Sequence, residues 1–127
     1  RILTLDGFPH RGQPVVLTEF GGIACDCEGE PMYHTWGYAH ARSPEEFIGQ
    51  YRSLMDAVGG STMFSGYCYT QFADIFQETT GLLRADRTPK VPIELIRQAT
   101  MSANCGVQRQ EEVPEPAPGP ERQPGLD

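Results

Sequence analysis

The chain has 127 residues, enough for one domain, and its seventeen acidic residues against ten basic ones leave a formal charge of −7. No basic cluster tracks a phosphate backbone, which argues against nucleic acid as a partner. No apolar run reaches the length of a membrane span and the start is not signal-like, so no membrane partner is expected. It opens on Arg1 rather than Met, as an interior or C-terminal piece of a longer protein would, or a trimmed one.

Residues 1–13 carry Gly7, Pro9 and Gly12 with little periodicity and read as a loop. From Val15 to Glu19 an apolar, β-branched run follows, ended by Gly21-Gly22. Such a run bounded by turn formers reads as a parallel strand buried on both faces, with Glu19 at its C-terminal end. In α/β barrels that end carries the catalytic groups, although a strand-end carboxylate is also simply solvated by its loop. Up to Arg42 the chain reads as irregular. It holds an acidic trio, Asp26, Glu28 and Glu30, and an aromatic cluster around Tyr33, Trp36 and Tyr38. Such a cluster packs as a local mini-core, or offers flat faces that stack on sugar rings.

Ser43-Pro44-Glu45-Glu46 is a helix start: Ser43 caps, Pro44 takes the first helical position and Glu46 completes a capping box. Phe47, Tyr51, Leu54, Met55 and Val58 then form one apolar stripe, and Gly59-Gly60 stops the helix. The run from Thr62 to Thr70 reads as a second strand, which makes a parallel βαβ unit with the first. Residues 71–90 form a loop long enough to be functional. A helix from Pro92 to Ala103 turns Ile93, Ile96 and Ala99 inward. From Glu111 onward five of the eleven prolines occur with almost no apolar side chains, so residues 107–127 are expected to be a disordered tail behind a folded part spanning 1–106.

Cys25, Cys27, Cys68 and Cys105 lack zinc-like spacing, and His10, His34 and His40 are scattered. No metal and no cofactor are expected, and reduced thiols in a cytoplasmic protein are the default reading.

Several stretches, taken together, resemble the end of the catalytic barrel of glycoside hydrolase family 2, which includes β-galactosidases, β-glucuronidases and β-mannosidases. They are Leu17-Thr18-Glu19-Phe20-Gly21-Gly22, Trp36-Gly37-Tyr38, Ser65 to Gln71, Glu78 to Leu83 and Asp86-Arg87-Thr88-Pro89-Lys90. The resemblance covers about residues 14 to 100. It implies an α/β fold, the strand 7 to helix 8 part of a (β/α)8 barrel, whose remainder is then a partner. Glu19 matches the nucleophile of a retaining hydrolase acting on β-linked sugars. Tyr69 falls where many members place a tryptophan lining the sugar subsite, and Trp36 and Tyr38 lie near the same mouth. The family's acid/base follows an asparagine, but the only asparagine here is Asn104, followed by Cys105. Glu78 is the one other acid in the mouth loop to consider for that role. A non-catalytic carbohydrate- or partner-binding fragment, or a small cysteine-based metal or redox module, are the competing readings.

Overall fold

In the computed structural model, residues 3–25 and 36–103 are described. Strand β1 (Val16–Gly21) pairs in parallel with β4 (Gly66–Thr70), and between them in sequence lie β2 (Ile23–Cys25), β3 (Ala39–Ala41) and helix α1 (Pro44–Gly59). β2 and β3 form a separate parallel pair, and α2 (Ile93–Ala103) closes the order. The strand–helix–strand unit expected from the pattern is therefore present as β1, α1 and β4. The expected tail, the acidic trio, Tyr33, His34, Cys27, Asn104 and Cys105 lie outside the described residues.

Three readings of the strands and their connections need correction. β1 is not covered on both faces: Val16, Thr18 and Glu19 are exposed, because β1 and β4 form a sheet of only two strands with one side turned toward helix α1. The described parts of the segment from Gly22 to Arg42 are not wholly irregular. Its β2 and β3 strands, at three residues each, are too short to show any period, yet Ile23, Ala24 and Ala41 are among the most buried side chains. The second strand is shorter than its apolar run, since Thr62 and Met63 fold into a turn and the ladder starts only at Gly66.

Helix α1 starts as its sequence dictates. Ser43 is extended (φ −149°) and its Oγ accepts from the Glu46 N–H at 3.1 Å, which satisfies one of the orphan donors of the first turn. The Glu46 carboxylate reaches back one residue further than in a capping box and accepts from the Arg42 N–H at 2.9 Å. Phe47, Tyr51 and Met55 are the buried part of the stripe and pack with Ile23, Ala41, Val91, Ile96, Ala99 and Ala103 in one core. Gly59, the last helical residue, is glycine for a packing reason: a Cβ there would lie 2.5 Å from the Ala103 Cα, so the absence of a side chain lets α2 cross closely.

Helix α2 meets α1 through its C-terminal half. The Thr100 hydroxyl donates to the Ile96 carbonyl at 2.8 Å, which makes Tyr51 the donor in its own 2.8 Å bond to Thr100. Ile96, Ala99 and Ala103 are buried, but Ile93 is 48 % exposed, against expectation. It sits in the first turn, away from the Tyr51–Thr100 and Gly59–Ala103 contacts.

The cysteine expectation fails at one position. Cys25 is disulfide-bonded, with its partner outside the described residues, whereas Cys68 is free and exposed.

Candidate functional site

The ends of β1 and β4 meet in register, Gly21 opposite Thr70, so everything that follows either strand begins at the same end of the sheet. Between Leu17 and Phe20 the register shifts, and the partners run from Leu17–Tyr67 to Phe20–Tyr69. Two residues, Thr18 and Glu19, thus stand opposite the single Cys68. In an unbroken strand Glu19 would share the face of Leu17. The bulge gives that place to Phe20, whose ring meets Tyr67 and Tyr69 edge-on at 5.8 and 5.4 Å. Glu19 is left exposed at the strand's end. Re-aiming a side chain in this way is a recurring use of bulges beside active sites.

A pocket opens over that end, lined by Glu19, Phe20, Gly21, Gly22, Trp36, Tyr38 and Thr70. Trp36 (49 % exposed) and Tyr38 (77 % exposed) stand edge to face, with centroids 4.9 Å apart at 68°. Their position depends on glycine. Gly22 has φ +73°, and a Cβ on it would lie 2.7 Å from the Tyr38 ring. The Gly22 carbonyl also accepts from the Tyr38 N–H at 2.8 Å, and the Gly22 N–H donates to the Thr70 carbonyl at 2.9 Å. One residue therefore ties the two β1-side walls of the pocket to the end of β4.

Of the four residues singled out from the sequence, Glu19, Trp36 and Tyr38 come together in this pocket and Tyr69 is not among its lining. The Tyr69 ring instead packs between Phe20 and Tyr51, 5.0 Å from the latter, and its buried hydroxyl has no hydrogen-bond partner among the described residues. Burial, and to a smaller extent the neighbouring Tyr51, push that hydroxyl well above the ordinary phenol range. Glu78 does not line the pocket either. Its carboxylate lies 3.4 Å from the Gln71 amide, in the loop after β4. Phe20, Gly21, Gly22 and Thr70 were missed as lining residues, because the expected strand ended at Glu19 and no local pattern set Gly21 beside Thr70.

The arrangement offers, among the described residues, one exposed carboxylate and two aromatic faces. Among the described residues no group of three His, Cys, Asp or Glu side chains is placed to hold a metal. No helix among them is long and apolar enough to cross a membrane.

No protein-family profile matches the chain, and no curated protein matches it. Among solved structures it is similar to an exo-beta-agarase, with 23 % identity and a TM-score of 0.55. The alignment covers 72 % of this chain and 13 % of that protein, so this chain spans about an eighth of the structure it matches. At that identity the likeness is one of fold.

Proposed function

We propose that this chain is the nucleophile-bearing part of a retaining glycoside hydrolase acting on β-linked sugars, related to glycoside hydrolase family 2. In this reading it is the strand 7 to helix 8 part of a (β/α)8 barrel whose remainder supplies the other walls of the site. The observation that carries the reading is the placement of Glu19: a bulge turns it out at the end of a parallel strand, into a pocket flanked by exposed Trp36 and Tyr38. The fold shared with an exo-beta-agarase supports the class, since that protein is named for cleaving a β-linked polysaccharide.

The chemistry follows from the placement. A Glu19 carboxylate oxygen forms a bond to the anomeric carbon while the glycosidic C–O bond breaks. The leaving oxygen takes a proton from a second carboxyl about 5 Å away, and water later cleaves the resulting glycosyl ester with help from the same group. The two carboxyls must differ in proton affinity so that one is charged while the other holds a proton. In this reading the second group comes from the remainder of the barrel, since among the described residues no other acid lines the pocket. Trp36 and Tyr38 stack on the apolar face of the sugar. The Cys25 disulfide favours an oxidising compartment over the cytoplasmic location expected from the sequence.

The test uses the full-length protein with aryl β-glycosides and agaro-oligosaccharides. Glu19→Gln keeps the shape but cannot attack, so turnover falls by several orders of magnitude while binding persists. Wild-type rates in that variant contradict the reading. The alternative, a non-catalytic carbohydrate-binding fragment, draws on the lone carboxylate of the pocket. It requires binding that survives Glu19→Ala in a protein with no hydrolysis at all.

A further inference from the structure

One buried charge lies outside the pocket and takes no part in the proposed reaction. Lys90, at the end of the long loop after β4, is 6 % exposed. Its ammonium donates to Asp74 Oδ1 at 2.7 Å and to the Thr79 carbonyl at 2.7 Å, and lies 5.7 Å from the Phe47 ring centre on α1. Both acceptors are shared. Asp74 Oδ1 also takes the Gly81 N–H at 2.8 Å, and the Thr79 carbonyl also takes the Cys25 N–H at the end of β2, at 3.1 Å. Desolvating an ammonium and a carboxylate is costly, and an apolar pair of similar shape often serves a purely structural site as well or better.

The contacts of Lys90 lead back to the pocket. The two residues flanking Thr79 hold Gln71, whose Nε2 donates to Thr80 Oγ1 at 3.1 Å and lies 3.4 Å from both the backbone carbonyl and the carboxylate of Glu78. Gln71 directly follows Thr70, a lining residue whose carbonyl is gripped by the Gly22 N–H. Thus one ammonium joins the loop, the end of β2 and helix α1, and the segment it holds carries the side-chain partners of Gln71.

We infer that Lys90 is a positioning residue for the pocket: by fixing residues 78–80 between β2 and Asp74, it holds Gln71, and through it the adjoining Thr70, the β4-side wall against which the sugar is oriented. The inference rests on the pocket being the glycoside site proposed above. Lys90 itself touches no substrate. Burial draws its proton affinity down, and the hydrogen bond and charge of Asp74 oppose this, so the pair and not the lysine alone keeps the ammonium in place.

The experiment compares full-length wild type with Asp74→Asn and with the double variant Lys90→Met, Asp74→Asn. Removing both charges avoids stranding one of them, and the asparagine keeps an acceptor for the Gly81 N–H. Thermal unfolding and hydrolysis of an aryl β-glycoside are measured on each. The expected result is a double variant that melts close to wild type while kcat/KM falls roughly 10- to 100-fold, mostly in kcat, as misorientation at the reacting centre would produce. A double variant that melts normally and hydrolyses within about twofold of wild type overturns the inference. If the double variant does not fold, Lys90→Arg, which keeps a cation beside Asp74 but not the ammonium's geometry, is judged by the same two measurements. A wild type that hydrolyses no glycoside overturns the functional reading and this inference with it, a result distinct from an active wild type with equally active variants.

Discussion

At the pocket, single residues matter for what they leave room for as much as for what they carry. Gly22 combines φ +73° with a Tyr38 ring that would sit 2.7 Å from any Cβ. Gly22→Ala should cost about 1–3 kcal/mol through backbone strain and should displace Tyr38 and its neighbour Trp36. Trp36 is the only tryptophan of the chain, so its fluorescence reports the displacement directly. An unchanged emission spectrum and unchanged stability would contradict this. Tyr69 is the opposite case. Its buried hydroxyl lacks a partner among the described residues, so Tyr69→Phe removes an unsatisfied polar group and should be neutral or stabilising by about 1 kcal/mol. The motif match had assigned Tyr69 to the sugar subsite, and substrate affinity in the same variant checks that role separately. Glu19 was legible as a strand-end carboxylate, but its orientation was not. The register shift that puts Thr18 and Glu19 opposite Cys68 depends on β4, some fifty residues away in the sequence, and no local pattern encodes it.

Helices were the most readable elements because their signals are local. Ser43, Pro44 and Glu46 fix the start of α1 and the apolar stripe fixes its buried face, all within sixteen residues. Ser43→Ala should therefore cost about 1 kcal/mol, read as a lowered thermal midpoint. The stop was read correctly for the wrong reason. Gly60 is right-handed at φ −76°, not the left-handed cap that a Gly-Gly pair suggests, and Gly59 is required by the backbone of Ala103. β2 and β3 were unreadable because three residues show no alternation and their stability comes from burial under α1. Ile23 and Ala41 thus belong to the core without any sequence signal that says so. The order strand, helix, strand was legible because its periods are long enough to count, and with it the end of the sheet where the pocket lies.

Over the whole molecule, alkaline pH tests how the core is built. Burial raises the hydroxyls of Tyr51, Tyr67 and Tyr69 above the ordinary phenol range. A group held more protonated in the folded state contributes stability that is present below its unfolded pKa, about 10, and is lost as pH rises beyond it. Lys90 acts in the opposite sense, since its lowered pKa relieves a cost as pH rises, but it is one group against three. The thermal midpoint should therefore fall steeply above about pH 10, and less steeply in Tyr69→Phe. A flat profile would contradict the buried tyrosine stack. Taken alone, residues 1–127 should unfold without a sharp transition. Leu3, Leu5, Phe8 and Val16 are exposed, and the β1–β4 pair presents two unpaired edges, which favours association. A cooperative, monomeric melt of that piece would contradict the proposal that it is part of a larger barrel. The most direct test of the central claim is chemical trapping. Full-length protein is incubated with an activated 2-deoxy-2-fluoro β-glycoside, which forms the glycosyl ester but hydrolyses slowly, and is then digested and mapped by mass spectrometry. One fluorosugar per chain is expected, esterified to Glu19 and absent in Glu19→Gln; a label on another carboxylate, with Glu19 unmodified, would rule out Glu19 as the nucleophile.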